Sequence, residues 1–152
     1  MTRSLVPKDF KVPQLLETDK FRLRMLKVTD VVKDFDAVMT SVDHLQGVFG
    51  VGNNWPSKDL TLEQDLIDLG WHQKEFQTRS SFAYTVMNPD ESQCLGCIYI
   101  FPSSNPEFEV DVFMWIRKSE FDKGLDPILF NTVKDWIKKN WPFKRVCYPG
   151  RE

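Results

Sequence analysis

One stretch of the chain, Glu109 to Trp136, constrains the possible folds more than any other. Its first part, Glu109 to Arg117, alternates apolar and polar residues and predicts a strand. The short loop Lys118–Leu125 then leads into a helix that we expect to open at Asp126 and Pro127. A strand that reaches a helix start through a short glycine-containing loop is a common anion site, because unpaired backbone N–H groups and the positive end of the helix dipole converge there. The junction therefore predicts a geometry suited to a phosphate.

Other residues at this junction work against a phosphate. Gly124 is the one glycine of the loop, whereas phosphate-binding loops usually carry several. Asp126 is a preferred N-cap residue, so its carboxylate is expected to accept from the N–H groups that a phosphate would use, and Pro127 removes one donor. Asp126 is then either an ordinary N-cap or a carboxylate that occupies the anion site in place of a ligand. The phosphate site is accordingly modified or lost.

The composition describes one globular domain. A chain of 152 residues is long enough to bury a core, and 41% hydrophobic with 28% charged residues is typical of soluble proteins. No run approaches the roughly 18 apolar residues of a membrane span, and the segment Met1–Phe10 lacks the apolar core of a signal peptide. The 20 basic and 22 acidic residues nearly balance, which argues against a nucleic-acid-binding face. We expect a cytoplasmic protein with neither a membrane nor a nucleic-acid partner.

Cysteine and histidine spacing predicts no metal site. Cys94 and Cys97 form a C-x-x-C, but the run at residues 94–101 reads as a buried strand, in which positions three apart point to opposite faces. Both are therefore expected to be structural thiols, and three cysteines do not make a disulfide framework. His44 and His72 are likewise not expected to bind a metal.

Strand and helix patterns follow one another along the chain without internal repeats. Residues 1–14 are expected to form an N-terminal arm, and residues 15–152 a single domain. The predicted elements are a strand at Phe21–Leu26, a helix after Asp30, a helix capped by Thr61 and Gln64, strands at Ser81–Met87, Gln93–Phe101 and Glu109–Arg117, a helix after Asp126 and a strand at Arg145–Tyr148. This order predicts an α/β (α+β) fold with a mostly antiparallel sheet.

Two motifs carry a family resemblance. Leu16-Glu17-Thr18-Asp19, followed by Leu23-Arg24, Leu26 and Asp30, is similar to an opening L-E-T-x-x-x-x-L-R-x-L-x-x-x-D. The stretch Asp111 to Ile116 is similar to an A-E-I-G-Y-W-L strand, with Asp111 at the acid and Trp115 at the tryptophan. Both resemble the GNAT superfamily of acetyl-CoA-dependent N-acetyltransferases, especially the branch that modifies ribosomal proteins and small amines. The resemblance covers roughly residues 15–148 and implies a GNAT-like acyl-CoA N-acyltransferase fold, a central, mostly antiparallel mixed sheet flanked by helices.

The resemblance also implies acetyl-CoA as cosubstrate. In the family, the strand before the loop splays away from its neighbour, the pantetheine arm lies in the gap, and the loop N–H groups hold the pyrophosphate. Carried over, the contacts fall on Trp115, Ile116, Arg117, Lys123, Gly124, Leu125 and Asp126. The loop departs from the family pattern R/Q-x-x-G-x-G/A at Asp122 and Asp126, whose carboxylates would repel a pyrophosphate, and Lys118 and Lys123 would offset part of that repulsion.

Candidate catalytic groups follow from what acyl transfer to an amine needs, a base for the amine proton and a polarised carbonyl. Glu109 and Asp111 share one strand face with Trp115 and would project carboxylates into a cleft, or else they are exposed acids at a wet strand end. The motif position favours Asp111 as the base. Family members usually continue past the last predicted strand with a helix, often carrying a tyrosine acid, and two more strands. We expect these to be lacking here, which leaves Tyr148 as the nearest acid and the final strand as an open edge for a homodimer.

Two functions remain open from the sequence. The first is an acetyl-CoA-dependent N-acetyltransferase that transfers an acetyl group to an amine of unknown identity. The alternative is a non-catalytic GNAT-like ligand-binding or dimerisation domain that has lost CoA binding. Most tryptophans are expected in the core, and Trp55, in the glycine-rich segment Gly47–Ser57, is the one most expected to line a substrate pocket.

Overall fold

The computed structural model describes residues 4–151. Its centre is a six-stranded sheet whose strands lie side by side in chain order. The strands are β1 (Leu15–Glu17), β2 (Arg22–Met25), β3 (Phe82–Met87), β4 (Cys94–Pro102), β5 (Val110–Ile116) and β6 (Val146–Cys147). The helices are α1 (Val31–Met39), α2 (Val42–Leu45), α3 (Leu62–Gln77), α4 (Lys118–Phe121) and α5 (Leu125–Asn140), with a 3₁₀ turn at Val28–Asp30. The predicted α/β order is confirmed, and β1, α2 and α4 are short elements that the sequence did not predict.

The sheet is antiparallel except at its last pair of strands. β3 and β4, which follow one another along the chain, pair as an antiparallel hairpin. β5 and β6 pair in parallel at two positions, Val110 with Val146 and Asp111 with Cys147. β5 continues to Ile116, so the two strands part after Asp111. The second half of β5 therefore has no neighbouring strand on the β6 side within the described residues, and homodimerisation through β6 stays a prediction.

Helices cover both faces of the sheet. On one face α5 presents Leu129, Val133 and Ile137 to the larger core cluster, which confirms the apolar side that their helical spacing in the sequence predicts. On the other face α1 and α3 pack over β3, β4 and β5, with Val38 and Leu69 in a second cluster. All six residues of β3 are buried because helices lie on both sides of it. Among the described residues, no helix combines the length and apolar composition that crossing a bilayer requires.

Residues 4–14, the described part of the predicted arm, pack on the α5 face. Val6 is buried in the larger core cluster. Arg79 fixes this segment by donating from Nη2 to the carbonyl oxygens of Pro7 and Phe10, at 2.7 and 2.8 Å. The Tyr84 hydroxyl donates to the carbonyl of Pro13 at 2.6 Å. The arm therefore adds to the core in front of β1.

The start of α5 differs from the predicted one. Gly124, with φ of 87°, occupies the N-cap position, and α5 begins at Leu125. Glycine suits this left-handed backbone because it has no Cβ. Asp126 lies in the first turn and makes no capping hydrogen bond, so the prediction that it caps α5 is wrong. Its carboxylate instead binds Arg151, 25 residues later in the chain.

A β-bulge places the two cysteines of the C-x-x-C on one face. Met87 pairs with Cys94 and Val86 with Gly96, so β4 carries one extra residue, Leu95, between them. The bulge interrupts the two-residue alternation, and both Cys94 and Cys97 join the core cluster under α1 and α3. The prediction that they point to opposite faces is therefore wrong.

Candidate functional site

The parting of β5 and β6 creates a gap that we call the β5–β6 gap, bordered by the free edge of β5 at Met114 and Ile116. Arg117 N donates to the carbonyl of Leu95 at 2.8 Å, which fixes the alternation of β5. Residues of β5 with odd numbers turn their backbone groups toward β4, and those of Met114 and Ile116 face the gap. A ligand in the gap would therefore meet backbone groups of β5 that no neighbouring strand binds within the described residues.

Two side chains of the chain itself bind these backbone groups. Arg151 donates from Nη2 to the carbonyl of Met114 at 3.2 Å. His44 Nε2 lies 3.1 Å from the carbonyl of Ile116, so this nitrogen carries the ring proton. The Phe121 ring packs edge-on against His44, with centroids 4.5 Å apart. The remaining space in the gap is a cavity of about 170 Å³.

Arg151 also closes the gap at the N-terminus of α5. Its Nη1 and Nη2 donate to the two carboxylate oxygens of Asp126 at 2.8 and 3.0 Å. The guanidinium lies over the Phe130 ring, 5.2 Å from its centroid. A bidentate arginine–carboxylate hydrogen bond of this kind is directional and strong.

The loop between β5 and α5 satisfies its own N–H groups. The short helix α4 lets the N–H groups of residues 120–124 donate to the carbonyls of residues 117, 118, 120 and 121. Lys118 pairs with Asp122 at 2.7 Å and Lys123 with Glu120 at 3.3 Å. In the family arrangement these N–H groups would hold a pyrophosphate. In this chain the N–H groups of residues 120–124 already donate within the α4 turn, and the N–H groups in the first turn of α5 are outside that set.

Arg117 and Trp115 connect β5 to neighbouring elements on the face of the sheet that α1 and α3 cover. The buried guanidinium of Arg117 donates to the carbonyl of Cys94 at 3.0 Å and to Asp36 of α1 at 3.0 Å. The indole of Trp115 donates to the Tyr99 hydroxyl at 2.9 Å. Both side chains lie on the face covered by α1 and α3, whereas Leu125 belongs to the core on the α5 face. The predicted cofactor residues thus lie around the gap and on both sides of the sheet.

The two predicted acids have different surroundings. Glu109 Oε2 accepts from the backbone N–H groups of Lys144 and Arg145, at 2.6 and 2.8 Å, and the Arg145 bond in particular lowers the pKa of Glu109. This carboxylate fastens the start of β5 to the entry of β6. Asp111 lies against Cys147 of β6, where burial and then the Asp111 charge raise the pKa of the thiol. Asp111 is therefore beside the closed end of the gap.

Tyr148, the predicted acid, lies on the other side of the sheet. Its ring contacts Phe130 of α5 edge-on, with centroids 5.3 Å apart, inside the core cluster of the α5 face. Trp115 belongs to the opposite cluster. Asp111 lies on β5 and Tyr148 directly follows β6, but the structure does not bring the two side chains to one face of the sheet.

A second cavity lies between α1, α3 and β4, and we call it the helix cavity. Its volume is about 370 Å³. It is lined by Leu26, Asp34, Phe49, Trp55, Asp65, Asp68, Leu69, Trp71, His72, Tyr99 and Phe101. Sequence reasoning identified only Trp55 of these. The signal was present on α3, where Asp65, Asp68 and His72 recur at helical spacing on one face that also buries Leu69.

The floor of the helix cavity holds a buried pair of carboxyl groups. Asp34 of α1 and Asp65 of α3 are 3% and 2% exposed. Burial raises the pKa of both carboxyl groups, and each carboxyl group also affects the pKa of the other. The Cys97 thiol donates to Asp34 at 3.4 Å, while Asp65 Oδ2 and His72 Nδ1 are buried with no hydrogen-bond partner among the described residues. Burial lowers the pKa of His72, so its ring is neutral near pH 7.

Three of these groups come close enough to share an ion. One ligand atom each from Asp34, Cys94 and Cys97 lies within 4.8 Å of the others, and all three residues are buried. The sequence predicted no metal site because the bulge at Leu95 was not foreseen. Zinc accepts thiolates and a carboxylate as ligands. In this structure, however, the Cys97 thiol donates to Asp34, and the Cys94 thiol contacts the Thr85 hydroxyl and the Gly96 carbonyl.

Solved structures that share this fold are acetyltransferases. A protein from Bordetella pertussis assigned to the GnaT acetyltransferase family superposes with a TM-score of 0.66 at 15% identity, over 88% of this chain and 77% of its own. The ribosomal-protein-S5-alanine acetyltransferase of Vibrio fischeri gives 0.68 at 19% identity, over 88% and 72%. The microcin C7 self-immunity acetyltransferase, solved with acetyl-CoA and AMP, gives 0.67 at 9% identity, over 85% and 68%. No family model and no curated protein matches the chain by sequence. At these identities the likeness establishes the fold, which is the GNAT fold that the two motifs predict.

Proposed function

We propose that this chain, which has the GNAT fold, is an acetyl-CoA-dependent N-acetyltransferase that acts on an amine. The observation that carries the proposal is the parting of β5 and β6 after Asp111, which turns the backbone groups of Met114 and Ile116 toward a gap. The family resemblance implies that the pantetheine arm of acetyl-CoA lies in such a gap and bonds to this strand. The acetyl-CoA complex of one structure with the same fold supports the proposal.

The residues around the β5–β6 gap fit this cosubstrate after two side chains move, Arg151 and His44, whose Nε2 lies 3.1 Å from the carbonyl of Ile116. Arg151 has to leave the carbonyl of Met114, to which it now donates at 3.2 Å. Because Arg151 also binds Asp126 in the first turn of α5, its charge stays near the N-terminus of that helix. Lys118 and Lys123 lie in the same loop, each paired with a carboxylate that it would have to leave, and the helix dipole favours an anion at the N-terminus of α5. These are the groups that would receive the pyrophosphate.

Asp111 is the residue that we propose as base. Acetyl-CoA, when bound, supplies the acetyl thioester, and the protein has to align the amine and remove its proton. Glu109 already accepts two backbone hydrogen bonds, and Tyr148 packs on the α5 face. Asp111 projects on the same face as Trp115 and lies at the closed end of the gap. Of the three predicted groups, its position is the one that fits proton removal.

A specific observation favours a second candidate, the non-catalytic domain. The carbonyls of Met114 and Ile116 are engaged by Arg151 and His44, and the N–H groups of the loop donate within the α4 turn. If these contacts persist, the gap is closed to CoA and the chain retains the fold alone. The two candidates differ in one measurable property, the affinity for acetyl-CoA.

The deciding experiment is a thermal shift and calorimetric titration with acetyl-CoA on the full chain. Ligand at 100 times its dissociation constant stabilises a protein by about 2.7 kcal/mol, a readily measured change. ADP is the control ligand, because it lacks the pantetheine arm and cannot use the free edge of β5. Stabilisation by acetyl-CoA that exceeds that by ADP supports the transferase. Absence of any shift at millimolar acetyl-CoA would reject it in favour of the non-catalytic domain.

The role of Asp111 has its own test once binding is established. With an amine that is acetylated by the wild type, Asp111→Asn should lower kcat by about 10²- to 10⁴-fold, the usual contribution of a positioned base. Asp135→Asn, an exposed carboxylate on the far side of α5, is the matched control. Equal rates for wild type and Asp111→Asn would remove Asp111 from the mechanism while leaving acetyl-CoA binding intact.

A further inference from the structure

The bulge at Leu95 brings two thiols and a carboxylate together inside the protein. Cys94 and Cys97 of β4 and Asp34 of α1 each place one ligand atom within 4.8 Å of the others. Both thiols are fully buried, and Asp34 is 3% exposed. In a regular strand, residues three apart point to opposite faces, so the two sulfur atoms converge only because of the extra residue. The bulge therefore gives this point of the core three groups that can bind a metal.

The spacing of these atoms matches the coordination sphere of zinc. Bonds of about 2.3 Å to sulfur and about 2.0–2.2 Å to oxygen place the ligand atoms of a tetrahedral zinc site roughly 3.3–3.8 Å apart. The Cys97 sulfur already lies 3.4 Å from Asp34 Oδ1. The other separations are at most 4.8 Å, so small side-chain movements would bring all three atoms to one ion. Calcium and magnesium take oxygen ligands, so the thiols select against them.

A fourth ligand is available from α3. Asp65 is 2% exposed, and its Oδ2 has no hydrogen-bond partner among the described residues. Its carboxyl group lies close enough to Asp34 that each carboxyl group affects the pKa of the other. A buried carboxylate oxygen without a partner is unfavourable, and a bound cation would satisfy it. Structural zinc sites usually have four protein ligands, which is the number that this arrangement offers.

A buried arginine complements the charge that a zinc ion would leave at this point. Two thiolates and two carboxylates carry more negative charge than Zn²⁺ neutralises. Arg117, which is 6% exposed, donates from its guanidinium to the Cys94 carbonyl at 3.0 Å and offsets part of the excess. Its ion-pair partner Asp36 has a side chain that is 59% exposed, so solvent screens the charge of that carboxylate. The surroundings therefore suit a divalent cation held by thiolates.

The helix cavity gives a cation a route to these ligands. Asp34 and Asp65 both line the cavity, whereas the two cysteines do not. Trp71 lines it as well and is 61% exposed, so the cavity reaches the surface. A hydrated ion that enters would meet the carboxylates first and then exchange its water for the thiols. A route of this kind is one of the requirements of a metal site in a folded protein.

We propose that the two cysteines of β4 and the two carboxylates, Asp34 and Asp65, form a structural binding site for one zinc ion. The ion joins α1 and α3 to β4. Each thiol loses its proton to solvent as its zinc–sulfur bond forms, and the hydrogen bond from Cys97 to Asp34 is replaced. None of these ligands borders the β5–β6 gap, so the proposal does not rest on the transferase activity.

The test is a metal titration of the full chain, first stripped with a chelator and kept reduced. We expect one zinc ion per chain, bound with a dissociation constant below about 1 µM and with release of protons to the buffer. Cobalt(II) is the spectroscopic probe, because cobalt bound to thiolates shows a sulfur-to-metal charge-transfer absorption that oxygen ligands do not give. Absence of zinc binding at micromolar concentration, or cobalt binding without the sulfur absorption, would overturn the proposal.

Variants identify the ligands. Cys94→Ala should weaken zinc binding at least about 100-fold, since even substitutions outside the ligand set cost about 10- to 100-fold. Cys147→Ala removes the half-buried cysteine of β6 and should leave zinc binding unchanged. Asp34→Asn should also weaken binding, whereas Asp43→Asn, an exposed carboxylate on α2, should not. Unchanged zinc affinity in both Cys94→Ala and Asp34→Asn would reject the assignment.

The wild-type measurements keep the proposal testable if a core variant fails to fold. Circular dichroism shows whether Cys94→Ala, which alters a buried side chain, retains the fold. If it does not, the cobalt spectrum and the proton release of the wild type decide, because both report thiolate ligation directly. The Cys147→Ala control then excludes the third cysteine as the source of the sulfur absorption. Loss of that absorption in Cys147→Ala would contradict the proposed ligand set.

Discussion

Arg151 donates two hydrogen bonds to Asp126, at 2.8 and 3.0 Å, and thereby holds the residues after β6 against the first turn of α5. The two side chains are 22% and 14% exposed, so solvent screens the pair only in part. The same guanidinium donates to the carbonyl of Met114 on the free edge of β5. Arg151 therefore connects α5, the segment after β6 and the free edge of β5, which borders the gap in which the proposed cosubstrate would lie.

Asp126→Asn is expected to raise the affinity for CoA and to lower stability. The substitution removes a negative charge from the N-terminus of α5 and releases Arg151 from its carboxylate, so the charge facing a pyrophosphate becomes more positive. Loss of this partly buried pair should cost about 1 kcal/mol of unfolding free energy. Calorimetry with CoA and urea denaturation measure the two effects. Asp135→Asn breaks the exposed pair with Lys139 on the same helix and should change neither. Weaker CoA binding in Asp126→Asn would contradict the proposed function of the gap.

Arg24→Met is expected to destabilise the chain by about 2–3 kcal/mol, since it removes one partner from mostly buried charges. The Arg24 guanidinium donates to both carboxylate oxygens of Asp30, at 3.0 and 2.8 Å, and to Glu91 at 3.0 Å. Asp30 is 6% exposed and would be left without its cation. Arg22→Met is the control on the same strand, because its ion pairs with Glu17 and Glu91 are 3.8 and 3.5 Å long. Urea denaturation that gave both variants the same loss would show that the Asp30 contact carries no special stability.

The sequence predicted the parts of the fold that local patterns determine. The Thr61 side chain accepts from Gln64 N as the capping pattern predicts, and α5 buries the expected apolar face. Leu62, Leu66, Leu69 and Phe76 recur at helical spacing and predict an apolar side for α3, but this prediction is partly wrong, because Leu62 and Leu66 are 45% and 41% exposed. Asp65 lies on the buried face of α3 instead. An apolar pattern does not predict a buried carboxylate, because charged residues are rarely buried.

The errors at the candidate sites arise from partners that are distant in sequence. Asp126 was predicted to cap its own helix from a local rule, but Arg151 offers a charged partner that the local rule does not include. The bulge at Leu95 depends on how β4 pairs with β3, and the alternation within β4 alone does not reveal it. The helix cavity likewise requires Asp34, Asp65 and Tyr99 from three elements to meet. Such contacts follow from the tertiary structure and not from any one segment.

Asp34→Asn is expected to stabilise the chain more at higher pH. Burial raises the pKa of Asp34 in the folded protein, so the folded state keeps a proton that the unfolded chain releases above about pH 4. The stability contributed by the neutral group is complete below that pH and is lost as the pH rises toward the folded pKa. Asparagine cannot ionise and removes this loss. Asp65, Cys94 and Cys97 face the same group and stay unchanged in the variant.

Melting temperatures of wild type and Asp34→Asn across pH 4 to 8 measure this effect. The difference between the variant and the wild type should grow with pH. Asp43→Asn, an exposed carboxylate on α2, should show a constant difference near zero. A difference between Asp34→Asn and the wild type that stayed constant over the whole range would mean that Asp34 titrates normally in the folded chain.

Gly96→Ala and Gly70→Ala are expected to change stability in opposite directions. A Cβ at Gly96 would lie 1.9 Å from the carbonyl oxygen of Trp115, and both are backbone positions of paired strands beside the bulge. Neither strand can move aside without losing its hydrogen bonds, so the variant should lose at least about 3 kcal/mol of unfolding free energy or fail to fold. A Cβ at Gly70, in the middle of α3, would meet only Val28 Cγ1 at an ordinary 3.8 Å. Alanine there should add about 0.5–1 kcal/mol, because glycine is the poorer helix former. Urea denaturation of the two variants measures both effects, and a tolerated Gly96→Ala would show that β4 and β5 do not approach as closely as this contact requires.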